Sequence, residues 1–386
     1  MSATLSLNPP KSKAETNGVE NLIRSMIKKH RTPLMIMRRS VLERQYQRFR
    51  KCLPEVTPYY AIKANPHPEV IKTFIKLGAS FDVASAAEMK QVLGLGAQPS
   101  KIIFANTIKS SEDIQYAQKK RVRLMTFDNE PELYKLAKYY PGAHVLIRIK
   151  VANQGSVVEL SLKFGADSDH AVYLLKKAKS LGLVPMGVSF HVGSQSTNVE
   201  NYLQALEITA GIFKDAEEDA MPLKMVDIGG GFPIQHFDNE VGVNFERMAA
   251  QIRQEMRSRF AKSVKFIAEP GRFFAGPAGV LVTQVTGRAF RFNKNYYYLN
   301  DGVYGDFSGM VFDHCRYEFK TLRRGQKFLS ALAGPTCDSF DTLSLNEEIP
   351  ELYVGDVVYV KNIGAYSCAS ATANFNGFAP AKLILV

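Results

Sequence analysis

The sequence predicts an α/β fold class: a TIM-type (β/α)8 barrel followed by a C-terminal all-β domain. Two patterns carry this. Eight short apolar runs rich in Val, Ile and Phe recur between helix-like stretches, and such alternation over roughly 230 residues is the signature of a closed parallel barrel. After about Pro277 the long helical stretches give way to strands and turns. With 386 residues and 46% hydrophobic content, the chain has material for one barrel-sized core and one smaller core.

In chain order, the runs are PYYAIKA (58–64), SFDVAS (80–85), KIIFAN (101–106), LMTFDN (124–129), HVLIRIKV (144–151), MGVSFHVGS (186–194), MVDIGGGF (225–232) and KFIAEPGR (265–272). Helix signals separate them: Pro68 opens PEVIKTFIKLG, Ser110 or Ser111 offers an N-cap to the next helix but one, and HAVYLLKKAKSLG stops at Gly182. The later runs GVLVTQVTGRAF, NYYYLNDGVYG, FLSALAG, DVVYVKN and AKLILV read as strands of a small barrel or sandwich. TPLMIM (32–37) reads as one more strand of that β domain. The expected division is a mobile tail at 1–18, an N-terminal segment at 19–38 lending a strand to the β domain, a barrel at 39–277 and the β domain at 278–386.

The formal charge of +12 raises nucleic acid as a partner. The basic clusters RSMIKKHRTPLMIMRRS (25–40) and KTLRR (320–324) sit in no recognisable nucleic-acid module, so a solvated basic surface is the expectation. No run of about 18 apolar residues occurs, and the polar start MSATLSLNPPKSKAETNG has no apolar core of a signal peptide. The expectation is a soluble protein without membrane contact. Cys52, Cys315, Cys337 and Cys368 form no C-x-x-C pair, which predicts free thiols in a reducing cytoplasm and no metal site.

Barrel enzymes build their sites at the C-terminal ends of the strands. Lys63, Asp82, Arg148, His191 with Ser194, the run Gly229–Gly231, and Glu269 with Gly271 and Arg272 all fall there. By the period-2 rule Tyr59, Ala61 and Lys63 share one face and Tyr60 and Ile62 the other. If the second face packs on the helices, Lys63 points inward, where burial pushes an amine towards its nucleophilic neutral form. Alone, Lys63 could as well snorkel to solvent. Three consecutive glycines let backbone N–H groups approach an anion, although a tight βα turn would also use them. Ser194 and Arg272 could add a hydroxyl and a guanidinium to a phosphate. A lysine, a phosphate cradle and the Glu269 carboxylate together suggest pyridoxal 5'-phosphate (PLP), because an anion beside the pyridine nitrogen keeps that nitrogen protonated.

The ordered set YAIKANP, FDVAS, LKFG, SFHVGS, DIGGGFP, EPGR, NDGVYG, GPTCDSFD, GAY and FNGF resembles the fold-type III PLP-dependent decarboxylases, in particular their ornithine/lysine branch. The resemblance runs from about residue 32 to residue 378. It implies an alanine-racemase-like barrel in which Lys63 holds PLP as an imine, Glu269 pairs with the pyridine nitrogen and His191 stacks on the ring. Gly229, Gly230, Gly231, Ser194, Gly271, Arg272 and Tyr366 match cofactor-binding positions, and Asp82, Glu88 and Arg148 match charged residues around the cofactor and its lysine. The resemblance further implies a homodimer with shared active sites, into which GPTCDSFD reaches from the partner subunit. Cys337 matches the residue that protonates the substrate α-carbon after CO2 leaves. Asp338 and Asp313 match residues that bind a distal ammonium, Tyr304 and Phe375 line the site, and Lys163 with Asp341 matches an ion pair between subunits. Ala64, Gln195, Ser196 and Phe312 depart from the common animal ornithine decarboxylase pattern, and none of these removes a catalytic group.

The implied activity is decarboxylation of a basic L-amino acid, ornithine to putrescine or lysine to cadaverine. Two carboxylates suit a cationic side-chain end, and CDSFD disfavours diaminopimelate, whose distal carboxylate needs a base. Arginine decarboxylation and a non-catalytic role like that of the antizyme inhibitors are the alternatives. Ornithine and lysine differ by one methylene, worth only about 1 to 3 kcal/mol of discrimination.

Overall fold

The computed structural model describes residues 13–152, 163–238 and 243–386. The chain divides into two compact units, one made of residues 43–233 and 243–274, the other of residues 1–42, 234–242 and 275–386.

Strand β1 (Leu34–Met37) belongs to the second unit. The first unit is a closed parallel barrel of β2 (Val56–Ala61), β3 (Ser80–Val83), β4 (Ile102–Phe104), β5 (Leu124–Phe127), β6 (His144–Arg148), β7 (Val184–Ser189), β8 (Met225–Asp227) and β9 (Lys265–Ala268). It closes where β9 pairs with β2, Phe266 opposite Val56. Each strand coincides with one of the eight apolar runs, and the helix signals hold. His67 caps Pro68–Lys76, the Ser110 hydroxyl accepts from the Asp113 N–H at 3.0 Å, and Gly182 takes a φ of 78° just past Ala171–Ser180.

Strand alternation decides what faces the helices. Tyr60 points outward and stacks on Phe74 of Pro68–Lys76 with ring centroids 4.2 Å apart, and Phe274 joins them at 5.5 Å from Phe74. Tyr59 points inward and packs with Ile103, Ala105, Leu146 and Ile267 in the barrel core. The strand stops at Ala61, however, and Lys63 lies in a 3-10 turn, Ile62–Ala64. The period-2 argument therefore holds for Tyr59 and Tyr60 but ends before the lysine, because Ile62 already has helical backbone. Similarly, His191 and Ser194 lie beyond β7 and the glycine run lies beyond β8.

The second unit is a mostly antiparallel sheet of β1, β10 (Gly279–Arg291), β11 (Lys294–Leu299), β12 (Lys320–Thr321), β13 (Lys327–Ala333), β14 (Thr342–Pro350), β15 (Val357–Lys361) and β16 (Lys382–Leu385). Here β1 runs antiparallel to β10 and parallel to β16. The helix Lys13–Ile27 overlaps the segment expected to be a tail, and its Val19, Ile23 and Met26 pack on Leu34, Ile36, Val280, Val282 and Tyr359. Two details differ from the sequence reading. DGVYG is a turn and not a continuation of β11, and TLSLNEEIP, too polar to read as a strand, is β14, paired with β13 through two register shifts. Among the described residues no helix is long and apolar enough to cross a membrane.

Phe74 is fully buried between Tyr60 and Phe274. Truncating it leaves a cavity under the first barrel helix, so Phe74→Ala should cost about 3 kcal/mol. Urea titration measures this as a lower midpoint at unchanged slope; a shift below about 1 kcal/mol would contradict the packing described.

Candidate active site

The barrel unit gathers charge at the C-terminal ends of its strands. The Lys63 Nζ lies 2.7 Å from Asp82 Oδ2, with the aspartate fully buried and the lysine side chain 43% exposed. Asp82 is fixed because β3 pairs with β2 in register, Asp82 opposite Ala61. After β3, Ser85 caps the helix Ala86–Gly94 by accepting from the Glu88 N–H, while the Glu88 carboxylate accepts from the Ala84 N–H at 2.6 Å. This is a variant of the capping box. It holds Glu88 close to Asp82 and Lys63; burial, then Asp82, raises its pKa, against the Ala84 N–H and Lys63.

Glu269, one residue past β9, hydrogen-bonds Asp227 at the end of β8. Burial first, and then the charges of Asp227 and Asp82, push the Glu269 pKa well above its usual value, with Lys63 opposing. Burial likewise raises Asp227, to about 6. Its Oδ1 accepts from the Gly229 N–H at 2.9 Å, which ties the glycine turn to the carboxyl pair. The Glu269 Oε1 is buried without a hydrogen-bond partner, an acceptor prepared for a group from outside the chain.

The glycine turn is close-packed. A Cβ on Gly229, which has a φ of 65°, would lie 2.2 Å from the Phe190 carbonyl oxygen. One on Gly231, at φ 94°, would lie 2.3 Å from the Gly193 oxygen. The buried Tyr202 hydroxyl donates to the Gly230 carbonyl at 2.7 Å and braces the turn from behind. His191 sits across it: its Nδ1 accepts from the Gly193 N–H at 3.1 Å, and a Cβ on Gly230 would meet its Nε2 at 3.0 Å. Burial, aided by the nearby Arg148 and Lys63 charges, holds the imidazole pKa well below its ordinary value. His191 is thus a neutral ring at pH 7. Gly271 packs on the lysine turn, where a Cβ would meet that of Ala64 at 2.9 Å, and Arg272 is 5% exposed at the start of Arg272–Ala275. Arg148 ends β6 with its guanidinium 5.4 Å from the Phe164 ring centre, and the Lys163 ammonium lies 4.9 Å from the same ring.

The β unit carries a second cluster. The rings of Tyr304 and Phe375 stack at 4.1 Å, and the Tyr304 hydroxyl donates to Asp338 Oδ2 in a short bond. That hydroxyl and the Phe340 N–H hold the Asp338 carboxyl below its ordinary pKa. Next to it, the exposed Cys337 places its thiol 3.4 Å and its N–H 3.2 Å from Asn376 Oδ1. Asp341 is buried, and accepts from the N–H groups of Val303 and Thr336 and from the Thr336 hydroxyl. Asp313 ends the short helix Gly309–Phe312, and Tyr366 has a left-handed backbone, φ 53°.

The sequence reading named Tyr304, Phe375, Cys337 and Asp338, and they meet. It missed Asn376, one residue beyond Phe375 in FNGF, and Asp227, the first residue of DIGGGFP, which looked like the end of a strand. It also missed Tyr202, which nothing in its helix Glu200–Glu218 marks as special.

A family model described as "Pyridoxal-dependent decarboxylase, pyridoxal binding domain" matches residues 39–276. The chain belongs to this PLP-dependent decarboxylase family. It is 40% identical to a lysine/ornithine decarboxylase of Selenomonas ruminantium over 95% of this chain and 92% of that protein. Among solved structures, a lysine/ornithine decarboxylase of Vibrio vulnificus complexed with putrescine superposes with a TM-score of 0.89 at 35% identity, covering 95% of this chain and 97% of that one. The arginine decarboxylase of Paramecium bursaria Chlorella virus superposes with a TM-score of 0.90 at 34% identity, covering 96% and 100%. The cofactor of this decarboxylase family is PLP, and the residues present fit it: an amine at the barrel mouth, a glycine turn no side chain can enter, and an enclosed carboxyl oxygen without a partner.

The raised Asp227 pKa has a consequence for the PLP-free protein. The folded state keeps a proton that the unfolded chain releases near its ordinary value of 3.8. Stability from this group is therefore fully present below that value and falls as pH rises towards about 6. Asp227→Asn should flatten the decline between pH 4 and 6 in urea unfolding of PLP-free protein. An undiminished decline in the variant would assign it elsewhere.

Proposed function

We propose that this protein decarboxylates a basic L-amino acid, L-ornithine or L-lysine, to the corresponding diamine, as a cytoplasmic homodimer with shared active sites. The observation that carries the reading is the Cys337–Asp338–Tyr304–Phe375 cluster, which joins a thiol, a carboxylate held below its ordinary pKa and an aromatic wall. The four free thiols, Cys337 among them, support a reducing compartment.

When bound, PLP supplies an electron sink for the pair left on the substrate α-carbon as CO2 departs. Lys63 would hold the cofactor through its amine and yield that place to the substrate amine, and Asp82, 2.7 Å away, would steady the free ammonium. Glu269, whose raised pKa keeps its carboxyl protonated before the cofactor binds, would hand that proton to a neutral pyridine nitrogen and remain beside it as the carboxylate. His191, neutral, would pack against the cofactor ring without opposing its positive charge. Gly229–Gly231, Ser194, Gly271, Arg272 and Tyr366 receive the phosphate, and Arg148 and Glu88 support the lysine's surroundings. From the partner subunit, Cys337 gives its thiol proton to the α-carbon. Asn376, accepting from both the thiol and the N–H of Cys337, fixes the position of the sulfur, from which the S–H must turn to reach the α-carbon. Asp338, with Asp313, would receive the distal ammonium beside the stacked rings of Tyr304 and Phe375. Lys163 would add a charged donor to Asp341, which already orders the GPTCDSFD loop through three neutral ones.

The alternatives predict different products. Holoenzyme given L-ornithine, L-lysine, L-arginine and meso-diaminopimelate separately should release CO2 with putrescine and cadaverine from the first two. Reaction with arginine or diaminopimelate alone, or no reaction and no bound PLP as in a non-catalytic relative, would refute the assignment. Asp338→Asn should raise KM for the preferred substrate roughly 10- to 100-fold, the worth of a hydrogen bond to a charge. Equal KM values would remove Asp338 from substrate recognition. Cys337→Ala should slow product formation or send the proton to the wrong atom, giving a product other than the diamine; unchanged rate and product would contradict its acid role.

A further inference from the structure

The opposite end of the barrel holds a cavity that the decarboxylation reading does not use. It opens at the N-terminal ends of the strands, with a volume of about 1040 Å3. Its floor is apolar: Leu124, Met186 and Met225 cover the core cluster that contains Tyr59 and Ile267. Its rim is cationic, lined by Arg121 and Arg123 ahead of β5, Lys262 ahead of β9 and Lys265 at the start of β9. One carboxylate, Glu55, reaches the lining, and it is engaged by Arg253, at 3.0 Å, and by Arg257. None of the four rim cations makes an ion pair among the described residues, so the only carboxylate in the lining does not neutralise them. Arg123 instead hydrogen-bonds Tyr140, which fixes it beside the cavity. Burial and that same arginine hold His144 below its ordinary pKa, so its ring stays neutral at pH 7 and adds a hydrogen-bonding group without charge.

Like charges gathered around a low-dielectric concavity focus a positive potential into it. An apolar floor rewards burial of hydrocarbon, at about 25 cal/mol for each Å2. The two features select a single ligand chemistry. We propose that the N-terminal mouth of the barrel binds an organic anion with an apolar body, of the acyl- or aryl-carboxylate class. The carboxylate lies among Arg121, Arg123, Lys262 and Lys265, and the body lies on Leu124, Met186 and Met225. Inorganic anions lack the body for this floor, and alkylammonium ions and diamines carry the wrong charge for the rim.

Calorimetric titration of the PLP-loaded protein tests this with three probes: octanoate, octylammonium and inorganic phosphate. Octanoate should bind at least about tenfold more tightly than either of the others, since it alone matches both features. The double variant Arg123→Glu/Lys265→Glu should weaken octanoate at least about tenfold, and Met186→Glu should do the same by spoiling the floor. Unaltered circular dichroism and diamine production by each variant establish that the fold is intact. Phosphate binding as tightly as octanoate, octylammonium doing so, or octanoate binding that survives either substitution in folded protein would each overturn the proposal.

Discussion

The ion pair between Lys63 and Asp82 sets the charge state of the whole barrel mouth. Three fully buried carboxyls, Asp82, Asp227 and Glu269, interact there with one another and with Lys63, and the less buried Glu88 lies beside Asp82 and the lysine. Were all three ionised, their mutual repulsion in a poorly solvated space would have no adequate counter-charge. Protons retained on Glu269 and, below about 6, on Asp227 resolve this, leaving Asp82 to balance the ammonium. A pyridine nitrogen brought to Glu269 would change the balance: it would take the stored proton, and the positive charge so formed would sit beside the carboxylate left behind. Cofactor binding and the stored proton are two sides of one electrostatic constraint, which is why the carboxyls sit on adjacent strands, β8 and β9, where register fixes their separation.

The glycine turn obeys a steric version of the same economy. Gly229 is tied to Asp227 through its N–H, and the turn's carbonyl at Gly230 is held by Tyr202. Backbone donors facing the mouth stay available because the turn's other polar groups are satisfied behind it. A side chain at Gly229 or Gly231 would strike a carbonyl oxygen from the loop after β7, so the turn and the His191 loop must keep their shapes together.

The barrel was legible in the sequence because eight apolar runs and their caps repeat one local rule eight times. The β domain was less so. β14 alternates Leu343 and Leu345 with polar neighbours and then carries Asn346, Glu347 and Glu348 before Ile349 and Pro350, and its place comes from pairing with β13 across two irregular registers, which no local pattern encodes. The site followed the same division. Lys63, Glu269 and the glycines stand out as polar or permissive residues at strand ends, yet the lysine's orientation was inferred through a strand that had already ended at Ala61. Asp227 was hidden because an aspartate ending a strand looks solvated, and its role appears only when β9 brings Glu269 beside it. Asn376 was hidden because contact with Cys337 spans 39 residues of chain.

Charge is distributed along the barrel axis with a logic of its own. In a parallel βα barrel every helix starts at the mouth that holds the carboxyls and ends at the other, so helix C-termini surround the far opening. Cations there are expected: Lys119 and Lys120 close the helix Ser111–Lys120, and Arg257 and Arg259 close Phe245–Arg259, each at the negative end of a helix dipole. That accounts for basic last turns and for part of the +12 net charge. It does not account for Arg123 and Lys265, which lie past the helix ends at the strand starts, nor for Met186 and Met225 beneath them. A dipole effect fades within one turn and asks for no apolar surface. The cations that remain, converging over a hydrocarbon floor, are arranged about a cavity and not about a helix.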